Sequence, residues 1–566
     1  MFETLPQAAT AMSQWTWPQI EPYFRDLNAR LLDPASVTAF LADWTRLSER
    51  LDEIHQRLFI ATTLNTADHE AEQQFNTFLD EVYPAVQEAE QQLKEKLLAS
   101  GLEPAGFELP LRRMRAEAAL FRPENLPLLT EEQKLATQYD KIIGAQTVEW
   151  AGEELTLAQL QPVYQNPDRT VRERAWRLAA QRRLADRPAI NELWQKFLKL
   201  RQQMAANAGL SDFRAFRWQM LHRFDYSPAD CFQFHQAIEA EVVPVASRIY
   251  EKRRQRLGID ALRPWDLEVD PLGRPPLRPY RAAADLAVKG AALFQQLDPH
   301  LGAYFETMRG ENLLDLENRK NKAPGGYCDA LAAVKRPFIF MNAVGLHDDV
   351  QTLLHEAGHA FHVFESSALP YYQQLQVGEE FGEVASMAME YLGGPYLAAP
   401  GSFYTQAEAA RARIEHLEGA ILFWPYMAVV DAFQHWVYEN PALSADPARC
   451  DAYWAALWQR FMPGVDWSGL EEEMMTGWQR KPHIHQSPFY YVEYGLAQLG
   501  AVQVWRNSLA DPAGAVAGYR RALALGGTVS LPQLYATAGA KFAFDGPTLR
   551  AAVELMVETI ERLEGE

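Results

Sequence analysis

The stretch that decides the reading is TLLHEAGHAFHVFE, residues 352–365. Its leucine, alanine and phenylalanine residues make a mostly apolar helix, yet it carries three histidines and two glutamates. His355-Glu356-Ala357-Gly358-His359 is an HExxH pattern. Positions four apart lie on one helix face, one turn above the other. Two imidazole nitrogens so placed can reach one metal ion at about 2.0–2.1 Å. Glu356 falls beside them and stays free to take a proton from an activated water. Asp348 and Asp349 precede the pattern and are expected to cap the first turn. Leu353, Leu354 and Phe361 are expected to anchor the other side.

HExxH has only three fixed positions, so it also arises by chance in long helices. The surroundings favour the chemical reading. Buried histidines need partners, and a surface helix would interleave lysine and arginine. None occurs in residues 337–410, where acids recur throughout. A bound dication is one source of the missing positive charge.

A metal site of hydrolytic type needs a third protein ligand and an open position. His362 lies nearly two turns from His355 and reads as a partly buried helix histidine. The glycine and last histidine of HExxHxxGxxH are absent. The better source is GEEFGEVASMAMEYLGG, 378–394, where Glu379, Glu383 and Glu390 share one face. Gly382, Ala385 and Ser386 are small and let two helices approach. Glu383 is then the natural metal ligand, with Glu379 and Glu390 as acceptors for imidazole N–H groups. The competing reading leaves Glu379 and Glu380 as solvated positions at a helix N-terminus.

Working outward, residues 18–100 and most of the chain after 345 carry apolar residues at helical spacing. VEWAGEELTLAQLQPVYQNPDR, 148–169, reads as a short hairpin around Ala151-Gly152 followed by a turn. RPWDLEVDPLGRPPLRPY, 263–280, must be extended or loop. PGGYCDALAAVKRPFIFMNAVG, 324–345, is the best candidate for sheet. The fold class is mainly α, with one small β-sheet beside the HExxH helix. Over 566 residues the net charge is −20, which argues against nucleic acid or an anionic membrane as partner. Cys231, Cys328 and Cys450 are widely spaced and odd in number, which fits a reducing compartment rather than a disulfide framework. Neither a signal peptide nor a bilayer-spanning run is evident, so a cytoplasmic protein is expected.

A third cluster is KPHIHQSPFYYVEYGLAQLGA, 481–501. Tyr490 and Tyr494 are one helical turn apart, and a phenol can donate to a developing oxyanion. Read alone, tyrosines this dense simply pack. With HEAGHAFH and FGEVASMAMEY in order before it, however, PFYYVEYGLAQLGA resembles the oligoendopeptidase F and thimet oligopeptidase family of zinc peptidases. The branch that includes the collagen-like-peptide (Pz) peptidases is closest. PGGYC, PFIFMN, VDAFQHWVYENP and LALGGTVSLPQLYATAGAKF add to the match, which is firm from about residue 200 to 566.

The resemblance implies one Zn2+ held by His355, His359 and Glu383, with Glu356 as general base and proton shuttle. It places Tyr490 and Tyr494 at the substrate carbonyl. A family histidine just upstream falls on His483 or His485, and the Pro-His context favours His483. The implied fold is a helical two-lobed ellipsoid with a deep central channel, divided into an N-terminal helical lobe (1–200) and a catalytic region (201–566). The implied function is cytoplasmic hydrolysis of internal bonds in short unfolded peptides, with PGGYCDAL pairing with the peptide as an added strand. The alternatives are a metal-dependent exopeptidase and a non-catalytic helical peptide-binding protein. Zinc is not distinguished from cobalt or manganese, and the oligomeric state is left open.

Overall fold

The computed structural model describes residues 1–319 and 321–565. Helices make most of it. At the N-terminus, Val37–Leu64, Tyr83–Ser100 and Glu108–Leu120 turn Phe40, Trp44, Leu93, Phe107 and Leu111 inward. These form a core of their own within residues 2–114. A second, much larger core runs through residues 120–563.

Two small sheets interrupt the helices. β1 (Thr147–Trp150) and β2 (Glu153–Thr156) form the hairpin expected at Ala151-Gly152. Both turn residues have positive φ, +54° and +89°, the tight two-residue turn that suits twisted strands. The second sheet has the order β3-β5-β4, from β3 (Leu314–Glu317), β4 (Tyr327–Leu331) and β5 (Arg336–Ala343). β5 runs parallel to β3 and antiparallel to β4. β4 is therefore an edge strand, and no strand pairs with its other side among the described residues. The proline-rich segment 263–280 holds one short turn of helix, Pro264–Asp266, and is otherwise irregular.

The chain leaves β5 into the histidine helix, His347–Ser366. Asp348 and Asp349 lie inside its first turn rather than before it. Asp349 nevertheless caps: its Oδ2 accepts from the backbone N–H groups of Val344, Gly345 and Leu346 at 2.7–3.0 Å. Three backbone donors of the segment entering the helix are thereby satisfied. Leu353, Leu354 and Phe361 are fully buried. The glutamate helix, Glu379–Gly393, crosses at Gly358. A Cβ there would stand 2.4 Å from Ala385 O and 2.6 Å from Ser386 Cα. The tyrosine helix, Tyr491–Ala510, packs on the far side of the glutamate helix, with Gly500 against Val384. Among the described residues no helix is long and apolar enough to cross a membrane.

The N-terminal helices and the histidine helix face each other across a cavity of about 790 Å³. Trp44, Asp52 and Arg113 line one side; His359, His362 and Glu379 line the other.

Candidate metal centre and catalytic cleft

His355 and His359 stack along the histidine helix with ring centroids 5.0 Å apart. The crossing at Gly358 brings Glu383 over them. Glu383 Oε2 lies 3.2 Å from His355 Nε2 and 3.6 Å from His359 Nε2. The three ligand atoms all lie within 4.8 Å of one another.

Proton accounting says what this triad wants. Glu390 Oε1 is 2.7 Å from His355 Nδ1, and its Oε2 is 2.8 Å from His416 Nε2. With the His355 proton held at Nδ1, the Nε2 lone pair faces a carboxylate oxygen. Two acceptors confront each other unless a cation stands between them. Two imidazoles and one carboxylate are a donor set that suits zinc. The residues fit the ion. Burial alone would raise the pKa of Glu383, but the His359 and His355 rings hold it well below the usual carboxylate range. Burial would lower the pKa of His355, but bonds to Glu383 and Glu390 drive it well above its ordinary value. Glu390 is likewise held down to about 2 against its burial, by His355 and His416. These shifts describe the same charge pattern: anionic oxygens gathered around a position that attracts a proton or a metal ion.

Glu356 behaves differently. It is buried, and its Oε2 has no hydrogen-bond partner among the described residues. Burial pushes its pKa up. The Cβ that Gly326 lacks would sit 3.4 Å from Glu356 Oε1, so the turn before β4 passes close to this carboxylate. A carboxyl with a raised pKa and a free oxygen is suited to accepting and returning a proton.

The tyrosine segment closes on the triad from the other side. Tyr490 is the residue before the helix, not part of its first turn; Phe489 preceding it takes a positive φ of +67°. That backbone reversal turns Tyr490 inward, where its hydroxyl donates to Glu383 Oε1 at 2.6 Å. The Tyr494 ring lies 5.2 Å from the Tyr490 ring, and its hydroxyl is 3.3 Å from His483 Nε2. Burial and then the Glu383 charge raise both phenol pKa values well above 10, so both stay protonated donors. Burial and the Lys481 charge lower His483 to about 4, which keeps it neutral. His485 is fully buried, stacked on Tyr139 at 4.5 Å and Trp478 at 5.9 Å, and belongs to the core. Tyr491 turns away and its hydroxyl accepts from Lys481 Nζ at 3.0 Å.

Two expectations need amendment. Glu390 accepts an imidazole N–H, but Glu379 does not; its neighbour is the Tyr490 hydroxyl, and partial loss of water at the cavity wall, then the Glu383 charge, push its pKa to about 7. Glu379 is the first residue of its helix and is exposed, as the competing reading had it, whereas Glu380 is buried. His416 carries no local signal in RARIEHLEG and was missed, because only the packing of helix Gln406–Glu439 brings it to Glu390. A second buried group, Cys231, Asp431 and His435, has a different logic. Arg214 Nη1 lies 3.3 Å from His435 Nδ1, making that nitrogen an acceptor and leaving the proton on Nε2, 3.4 Å from Asp431 Oδ2. His235 Nε2 meets the same oxygen at 2.8 Å. His235 thus pairs with Asp431, while Asp431 Oδ1 and His435 Nε2 have no hydrogen-bond partner among the described residues.

The comparisons with known proteins follow this geometry. The model of peptidase family M3 matches residues 163–554, and that of the peptidase M3 N-terminal domain matches residues 11–105. No curated protein matches the chain. Among solved structures, Pz peptidase A with an inhibitor is 28% identical with a TM-score of 0.90, covering 99% of each chain. A structure described as an oligoendopeptidase F is 30% identical with a TM-score of 0.90, covering 97% of each. A similarly described protein from Bacillus anthracis str. Ames is 24% identical with a TM-score of 0.87 over 96% of each, which speaks for the fold. The match over most of the length, on a helical body of the same architecture, is decisive: the chain belongs to peptidase family M3 and is a metallopeptidase of the oligoendopeptidase kind.

Proposed function

We propose that the protein is a zinc-dependent oligoendopeptidase that cuts internal bonds of short, unfolded peptides in the cytoplasm. The observation that carries this reading is the meeting of His355, His359 and Glu383 near an unbonded Glu356 oxygen, with His359 on the wall of a cavity between two sets of helices. His355, His359 and Glu383 would hold the ion. When bound, zinc supplies Lewis acidity that brings the pKa of a water to about 7.

The chain's own residues do the rest. Glu356 takes the proton of the attacking water and later gives it to the departing amine nitrogen. The Tyr490 and Tyr494 hydroxyls, held as donors, stabilise negative charge as it grows on the carbonyl oxygen. His483, neutral and beside Tyr494, orients that phenol or meets the same oxygen. β4 offers its outer edge to the peptide backbone, which binds without demanding particular side chains. A cavity walled by helices on both sides suits an extended peptide and not a folded domain.

The test is mass spectrometry of peptide mixtures blocked at both ends, incubated with and without a chelator. Internal cleavage that zinc restores after chelation supports the reading. Removal of terminal residues only, from unblocked peptides, would move it to an exopeptidase. Restoration by cobalt or manganese and not by zinc would change the metal.

A further inference from the structure

The turn that aims Tyr490 is held by side chains from distant parts of the sequence. Phe489, just before Tyr490, is fully buried and has its φ at +67°. A bulky residue rarely takes this left-handed conformation, and one persists there only where its surroundings over-determine it. Here the surroundings are specific. The Phe489 N–H donates to Gln434 Oε1 at 2.6 Å, from the helix Gln406–Glu439. The Phe489 carbonyl accepts from Arg223 Nη2 at 2.5 Å. One residue earlier, Pro488 O accepts from Arg217 Nε at 3.3 Å. Gln434 and Arg223 are both buried.

Arg223 reaches further. The same Nη2 donates to Glu493 Oε1 at 2.5 Å, and the Glu493 N–H donates to the Tyr490 carbonyl at 2.9 Å. The guanidinium therefore grips the chain on both sides of Tyr490. Its Nε lies 3.5 Å from Glu380 Oε1, an oxygen that also accepts the Tyr226 hydroxyl at 2.6 Å. Glu380 stands one turn before Glu383 on the glutamate helix. Arg223 thus ties the tyrosine turn to the helix that carries the carboxylate bonded by Tyr490. The planar fork of a guanidinium suits this task, because its donors leave in fixed directions.

The two contacts do different work from packing. The Phe489 ring lies against His435, Tyr438 and Trp218 at 5.2, 5.3 and 5.9 Å between centroids, which fixes the ring. Gln434 fixes the peptide plane before Phe489, and Arg223 fixes the plane after it. With both planes fixed, the direction in which the Tyr490 side chain leaves the backbone is fixed too. Gln434 and Arg223 bond the backbone and not the phenol, so they act through Tyr490.

We infer that Gln434 and Arg223 are positioning residues: they clamp the Phe489 turn so that the Tyr490 hydroxyl stands where negative charge grows on the substrate carbonyl oxygen. The inference rests on the peptidase reading above and adds to it the groups that pre-organise its oxyanion donor.

The experiment uses the zinc-loaded full chain and an end-blocked, internally quenched peptide. Gln434→Met keeps the side-chain length and removes the acceptor. It should lower kcat about 10–100-fold with KM little changed, because a donor displaced by about 1 Å is missed mainly in the transition state. Gln434→Glu keeps an acceptor oxygen and should recover most of the loss. Arg223→Lys keeps the buried charge without the fork and should lose kcat as Gln434→Met does; it reads the clamp independently if Gln434→Met fails to fold. In a Tyr490→Phe background, Gln434→Met and Arg223→Lys should each cost less than about twofold more, since no hydroxyl remains to be aimed. A fluorotyrosine at position 490 gives a reading apart from activity: its fluorine resonance should move in Gln434→Met and return in Gln434→Glu. Losses that multiply with that of Tyr490→Phe would overturn the inference, as would wild-type kcat in the folded Gln434→Met and Arg223→Lys variants or an unmoved fluorine resonance. If the wild type cuts no peptide at all, the peptidase reading itself fails and this role falls with it.

Discussion

The Tyr490 hydroxyl and Glu383 are joined by a 2.6 Å hydrogen bond to Oε1, while Oε2 of the same carboxylate faces both histidines. One oxygen of Glu383 is thus committed to the phenol and the other to the triad. A substrate carbonyl that reaches this position competes for a donor already aimed and already dry. Tyr490→Phe should therefore lower kcat and kcat/KM together, by about 10²–10³, with bound zinc at full occupancy. Tyr494→Phe should lose less, and Tyr491→Phe should leave kcat alone, its hydroxyl being spent on Lys481. Steady-state kinetics on the three variants decides it; equal losses at all three would return the cluster to packing.

Glu356→Gln should bind metal and fold as wild type, since the side chain keeps its shape and makes no bond through Oε2. It should lose about 10²–10⁴ in turnover, because an amide accepts no proton. Metal content by emission spectroscopy and single-turnover kinetics are the measurements. Near-normal turnover in a fully loaded variant would remove Glu356 from proton transfer.

Glu383→Ala should strip the metal. Glu390→Gln should weaken it by about 10–100-fold, because it disturbs the His355 Nδ1 bond and the His416 bond together. Glu379→Gln, which touches no imidazole, should affect turnover through Tyr490 more than metal affinity. Competition with a chromophoric chelator ranks the three. Loss of metal from the Glu390 variant but not the Glu383 variant would exchange their roles.

Gly358→Ala tests the helix crossing. Its Cβ would press on backbone atoms of Ala385 and Ser386, which cannot yield as a side chain does. Overpacking of this kind costs about 1–3 kcal/mol, and here the helices must part where Glu383 meets the histidines. The melting temperature and the zinc affinity should fall together. A variant with unchanged stability but weak zinc would mean the helices slide rather than separate.

Glu268 carries a pH signature. It is exposed to a cavity, where partial loss of water, and then the Asp348 charge, raise its pKa from the usual 4.5 to about 7. The folded state therefore binds more protons than the unfolded state between these values, and stability falls as pH rises through that window. Glu268→Gln should raise the melting temperature at pH 8 more than at pH 5. A gain that is the same at both pH values would show that ionisation of this group is not linked to folding.

Much of the site was legible because it is local. HExxH places two rings and a carboxylate by helix geometry alone, and GEEFGEVASMAME places Glu383 and Glu390 on one face for the same reason. The hairpin at Ala151-Gly152 and the strands of 324–345 were legible from turn glycines and a run too short for a helix. Tertiary structure decided the rest. It assigned Glu379 to Tyr490 rather than to an imidazole, buried His485 while leaving His483 at the cleft, and brought His416 to Glu390. The periodicity of a helix says which residues share a face; which face meets which, and whether a charge finds a partner there, depends on how helices far apart in the chain pack together.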